Sequence, residues 1–207
     1  MLTSPLPPHS CYVCWAFARA YSAAVMRPFV SSLADTMLVT AVYDREINCR
    51  RAASAAYQEN VGRQGNQNFP SGIAVIAVAD YFSLGNRSHA YLTVAPQIAE
   101  ICGAAGENSV ATAFRTHLVG YKLCHWDAEV RALAARAVAR LAAADPVTMV
   151  AAMPALASDY CFCNSLAKRH GGLLGGLIDP LHGPDTNPNP NLYLSVTSTA
   201  QGWRRCC

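Results

Sequence analysis

The sequence predicts an all-α chain of stacked helix pairs that ends in an irregular C-terminal tail. Three observations carry this reading. Alanine, the best helix former, dominates stretches such as RRAASAAYQ and EVRALAARAVARLAAA. Apolar residues fall at helical spacing, with Val130, Leu133, Ala134, Ala137, Val138 and Leu141 forming one stripe, and no comparable stretch alternates as a strand between hairpin turns. Finally, the pattern recurs along the chain with a period near 40 residues.

The spacing predicts helices over 11–21, 27–42, 46–61, 71–80, 87–101, 109–121, 127–144, 147–157 and 166–178. Pro28, Pro70 and Pro146 fall near helix starts, where a missing N–H costs least. Asp44 and Asp127 stand just ahead of helices, as N-caps or first-turn acids, and Asn86 reads as an N-cap rather than as a glycosylation acceptor. The organisation expected is an irregular segment over 1–10, a solenoid of about four helix pairs over 11–178, and a proline-rich, disordered tail over 179–207. The tail carries Pro180, Pro184, Pro188 and Pro190, a density that forbids further helical repeats.

The repeat is anchored by arginines followed by small residues three and six positions on. Arg50 is followed by Ala53 and Ala56, Arg87 by Ala90 and Thr93, Arg131 by Ala134 and Ala137, and Arg169 by Gly172 and Gly175. The anchors stand 37, 44 and 38 residues apart. Small residues at this spacing share one helix face and let a neighbouring helix approach closely, while each arginine can reach an acid or an open carbonyl. Two helices per period of about 40 residues give a right-handed α-solenoid of the HEAT or armadillo type. A tetratricopeptide period would be shorter, near 34.

Composition narrows the function classes. Of 207 residues, 52 % are hydrophobic and only 14 % charged, so much of the surface must be covered by something. A net charge of +3 is too small to announce a nucleic-acid partner. No apolar run reaches the roughly 18 residues of a membrane span, and the start lacks the pattern of a signal peptide. Nine cysteines, an odd number, argue against a disulfide framework. Cys11 and Cys14 share an apolar helix face, where buried thiols rather than zinc ligands are expected, since no second pair stands at a matching spacing. A zinc enzyme would need that ligation.

Catalytic motifs are absent from the sequence: no phosphate loop, no zinc helix, no nucleophile elbow and no dinucleotide fingerprint. The run Gly171-Gly-Leu-Leu-Gly-Gly176 reads as close helix packing, and none of the six histidines stands with a carboxylate pair. The terminal Arg204-Arg-Cys-Cys207 looks like a prenylation end without its supporting context. No catalytic, cofactor or metal residue is expected, which leaves an interaction scaffold.

Four segments, CYVCWAFARAY (Cys11–Tyr21), REINCRRAASAAYQENVGRQG (Arg45–Gly65), FPSGIAVIAVADYFSLGNRS (Phe69–Ser88) and HWDAEVRALAARA (His125–Ala137), resemble consecutive segments of the tubulin-folding cofactor D family. The similarity runs from about Cys11 to about Gly175, with Asn66-Gln-Asn68 reading as a small insertion, so the chain looks like an interior HEAT-repeat piece with divergent ends. The resemblance implies a long helical-repeat chaperone. Such a protein binds β-tubulin after its release from the chaperonin and joins other tubulin-folding cofactors in assembling the α/β-tubulin heterodimer. It stimulates GTP hydrolysis by tubulin as a component of that assembly and is bound by an Arf-like small GTPase. A cytoplasmic, cytoskeleton-associated location follows from the same resemblance. On the second helix of the first pair, Gln58, Glu59 and Arg63 are the expected partner contacts. The alternative is a generic helical-repeat scaffold unrelated to tubulin.

Overall fold

The computed structural model describes residues 8–103, 110–144 and 156–176. Among these, helix α1 covers Pro8–Ala20, α2 Ala23–Tyr43, α3 Ile47–Asn68 and α4 Gly72–Val78. Helix α5 runs over 87–102 and α6 over 110–122. Helix α7 spans Ala128–Ala144, a π-helical turn occupies Leu156–Tyr160, and α8 covers Leu166–Gly176. No strand occurs among the described residues. The expected segments 1–10 and 147–157 lie largely outside the described residues, and the expected tail lies wholly outside them.

Local chemistry sets the boundaries. The side chain of Asn86 accepts a hydrogen bond from the His89 N–H at 3.0 Å and so caps α5 as expected. Asp127 Oδ1 accepts from the Glu129 N–H at 2.9 Å, and Asp44 Oδ1 from the Glu46 N–H at 2.8 Å. Pro28 sits in a 3₁₀ turn, Arg27–Phe29, which winds α2 more tightly near its start. Pro96 falls just after the π-helical turn Ala90–Val94 of α5. Its missing N–H and its ring would disturb a regular helix at the preceding turn, and the wider winding there accommodates both.

Two sequence expectations are corrected. The helix expected over 46–61 instead continues as α3 to Asn68, taking in Asn66-Gln-Asn68, across a break at Gly65, whose φ of 67° and ψ of −173° only glycine adopts readily. Moreover, Ala23–Tyr43 is a 21-residue helix of mean hydropathy 1.2, long and apolar enough by length and composition to cross a membrane. In the sequence, Arg27 and Asp35 interrupt the apolar run. Its last seven residues, Met37–Tyr43, are all buried against other helices, which accounts for their hydropathy by packing.

The helices stack in pairs. α3 packs on both α1 and α2, α2 reaches on to α6, and α5 packs on α6 and α7. At the middle of the stack Tyr43 from α2 meets Tyr91 of α5 and Phe114 of α6 edge-on, with ring centroids 4.8 and 5.2 Å apart. Its other neighbour is His117, stacked at 5.7 Å. The Tyr91 hydroxyl donates to the Tyr43 carbonyl at 3.0 Å. The α7 stripe from Val130 to Leu141 is buried throughout. A Cβ on Gly171 would run into the Leu123 backbone and one on Gly175 would lie 2.9 Å from the Leu123 side chain, so these glycines let α8 lie close against the end of α6.

Candidate partner-binding surface

Two of the four repeat arginines make the same device. Arg50 is buried, and its guanidinium donates from one terminal nitrogen to the carbonyls of Asp44 and Arg45, both at 3.0 Å. Its Nε donates to the Leu84 carbonyl at 2.9 Å, and the other terminal nitrogen to that of Gly85 at 3.1 Å. Arg131, also buried, donates from one terminal nitrogen to the carbonyls of His125 and Trp126, at 2.6 and 2.8 Å. Its Nε reaches His170 Nδ1 in α8 at 3.0 Å.

In both copies the two bracketed carbonyls lie six and five residues before the arginine. In both, the side chain six residues before accepts from an N–H two residues on: Asp44 from Glu46, and His125 Nδ1 from Asp127 at 3.1 Å. Each arginine therefore closes the turn that leads into its own helix and reaches forward to the following one. Arg87 is half-buried and brackets no such pair among the described residues, whereas Arg169 is exposed on α8. The four anchors thus have three settings, because a guanidinium closes a turn only where open carbonyls lie behind it.

The turns bring exposed rings and cations together. The Arg45 guanidinium lies 5.9 Å from the Trp126 ring, which joins the two bracketed turns, and Arg51 lies over the Tyr81 ring at 3.6 Å. Phe82, next to Tyr81, is 84 % exposed.

The expected contact residues lie on α3 near α1. Gln58 is exposed, whereas Glu59 is committed internally. Its Oε1 accepts from Arg63 Nε at 2.9 Å and from Arg19 at 3.2 Å, so the carboxylate ties α3 to α1. Arg19 in turn stacks on Trp15 at 4.7 Å.

A buried amide ladder runs beside this pair, and sequence reasoning missed it. Asn60 donates to the carbonyls of Ala56 at 2.8 Å and Cys14 at 3.2 Å. Gln64 donates to Asn60 Oδ1 at 2.7 Å, and Asn68 donates to Gln64 Oε1 at 2.9 Å and to the Ala23 carbonyl at 2.8 Å. Three amides at i, i+4 and i+8 were the available signal, since side chains at that spacing touch along one helix face.

Burial governs the titration of the interior. It pushes the Cys11 thiol up to about 11, with Cys14, Cys49 and Asp44 adding in the same direction, so the thiol stays protonated. Burial pulls the His117 imidazole down to about 3, helped by Lys122, and its Nε2 has no hydrogen-bond partner. Among the described residues no group of three or more His, Cys, Asp or Glu could hold a metal ion.

Residues 8–73, from α1 to the start of α4, match a family model described as tubulin-specific chaperone D-like, ARM repeats. Beyond that stretch too, the chain is similar to tubulin-specific chaperone D proteins. It is 34 % identical over 141 residues to the tubulin-specific chaperone D of Dictyostelium discoideum, covering 68 % of this chain and 9 % of that protein. Over 145 residues it is 30 % identical to the tubulin-folding cofactor D of Schizosaccharomyces pombe, covering 70 % and 12 %. The chain thus spans 9 % and 12 % of the length of these two chaperone D relatives. No solved structure matches it.

Proposed function

We propose that this chain is a helical-repeat stretch of a tubulin-folding cofactor that binds β-tubulin. In this reading it takes part in folding after the chaperonin and in assembly of the α/β-tubulin heterodimer, alongside other tubulin-folding cofactors. Its contribution is chaperone-type, and any stimulation of tubulin GTP hydrolysis belongs to the cofactor assembly. An Arf-like small GTPase is a further partner, and the setting is cytoplasmic and cytoskeleton-associated. The observation that supports this most is a similarity to two proteins named for tubulin folding that extends over about 70 % of the chain. Stacked helix pairs suit the role physically, because they hold out an extended surface on which a large folded client can rest.

The partner-facing part of this proposal is the edge of α3 with Gln58, Glu59 and Arg63. Immobilised full-length chain is expected to retain purified tubulin from a defined mixture, and Glu59→Arg to lower that retention several-fold. Circular dichroism checks that the variant is folded. Unchanged retention by Glu59→Arg would move the contact elsewhere. Loss of tubulin altogether, with other cytosolic proteins captured instead, would favour the generic scaffold.

A further inference from the structure

The α1–α2 corner carries an apolar face that is open to solvent and free of charge. Phe17 of α1, Tyr21 in the link, and Val25, Phe29 and Leu33 of α2 line a groove of about 310 Å³. No charged side chain lines it. Phe17, Tyr21, Val25 and Phe29 are each between 42 and 58 % exposed, and Val13, 44 % exposed, extends the row by one turn of α1. The nearby charges are used elsewhere. Arg19 is held by Glu59 and Trp15, while Arg27 and Asp35 turn into a separate groove with Asn68 and Pro70.

Three half-exposed rings of about 200 Å² each leave roughly 300 Å² of apolar surface open, and the valines and Leu33 bring it to on the order of 400 Å². Apolar patches of this size are often contact surfaces. Two such patches face to face bury about 800 Å², close to the roughly 900 Å² of apolar surface in a standard interface of about 1,600 Å². The chemistry suits a like partner. A charged partner finds nothing here to pair with, whereas an identical face sets rings against rings and brings no like charges together.

We propose that this face pairs with the same face of a second copy, so that the chain forms a twofold dimer through α1 and α2. The dimer goes beyond the tubulin reading and is tested without tubulin. Sedimentation velocity of the full-length chain is expected to show a monomer–dimer equilibrium with a dissociation constant in the micromolar range or tighter. Phe29→Glu places an unpaired charge in the contact and should weaken dimerisation by about tenfold or more. Val25→Glu should act alike, and circular dichroism checks that both variants are folded. A mixture of Phe29→Glu and Phe29→Lys should dimerise again, because opposite charges then meet across the twofold axis. Leu166→Glu, at an exposed apolar position on α8, should change nothing.

A chain still monomeric at about 100 μM would overturn the dimer, as would Phe29→Glu and Val25→Glu variants that associate like the parent. Growth beyond a dimer, or an equal loss in Leu166→Glu, would overturn the twofold pairing by showing that copies stack with α1 and α2 against α8. No recovery on mixing would overturn it too, by showing that the face meets a different surface of its neighbour.

Discussion

Arg50 and Arg131 show how much one side chain can organise when its donors meet main-chain acceptors. Arg50 satisfies four carbonyls at once, in two different turns. Buried carbonyls left without donors carry the desolvation cost of each group. Arg50→Met is therefore expected to lower stability by about 3 kcal/mol, measured as the urea midpoint with an unchanged slope. The exposed Arg169→Ala should stay within about 0.5 kcal/mol of the parent. Equal losses at the two sites would refute the difference in setting. In the sequence these arginines look alike, since helical spacing marks a position on a face and says nothing of which carbonyls lie behind it.

At the scale of one element, α7 was the most legible helix, expected over 127–144 and found over Ala128–Ala144, while α3 concealed the most. Its alanines at 53 and 56 announced a packed face, and both are buried. Its amides Asn60, Gln64 and Asn68 went unread and the helix was expected to stop at 61, because an amide is buried only when another helix brings acceptors to it, here the carbonyls of Cys14 and Ala23. The break at Gly65 was equally hidden: glycine in a polar run signals nothing until its φ and ψ are known. A Cβ there would meet no neighbouring atom, so the demand for glycine is conformational and not spatial. Gly65→Ala should accordingly cost about 1–3 kcal/mol, read by thermal unfolding. A neutral result would show that the helix can run straight through this point. The π-helical turns of α5 and α6 left no mark in the pattern of apolar residues, which tolerates an extra residue per turn.

For the whole molecule, the centre is the ring cluster around Tyr43, where α2, α5 and α6 meet. His117 is part of it and is held neutral by burial, its folded value near 3 against an ordinary 6.5. Below pH 6.5 the unfolded chain takes up a proton that the folded chain refuses until about pH 3. Stability is therefore complete above pH 6.5 and falls as the pH drops through that window, by up to about 1.4 kcal/mol per pH unit. Urea midpoints should decline between pH 7 and pH 5, and His117→Phe should flatten the decline. A variant as acid-sensitive as the parent would place the effect on other groups. The stacking of pairs was itself readable from the forty-residue recurrence. The junctions between pairs were not, because Tyr43, Tyr91, Phe114 and His117 come from distant stretches of sequence and share no motif.

Because each guanidinium grips two peptide oxygens of the turn ahead of its own helix, that part of the lock is blind to which side chains the turn carries. Asp44 and Arg45 in one copy stand where His125 and Trp126 stand in the other, and the grip is the same. Such a clasp leaves the outward-facing residues of these two corners at liberty to diverge, so the molecule can vary what it shows to others there while the joints stay shut.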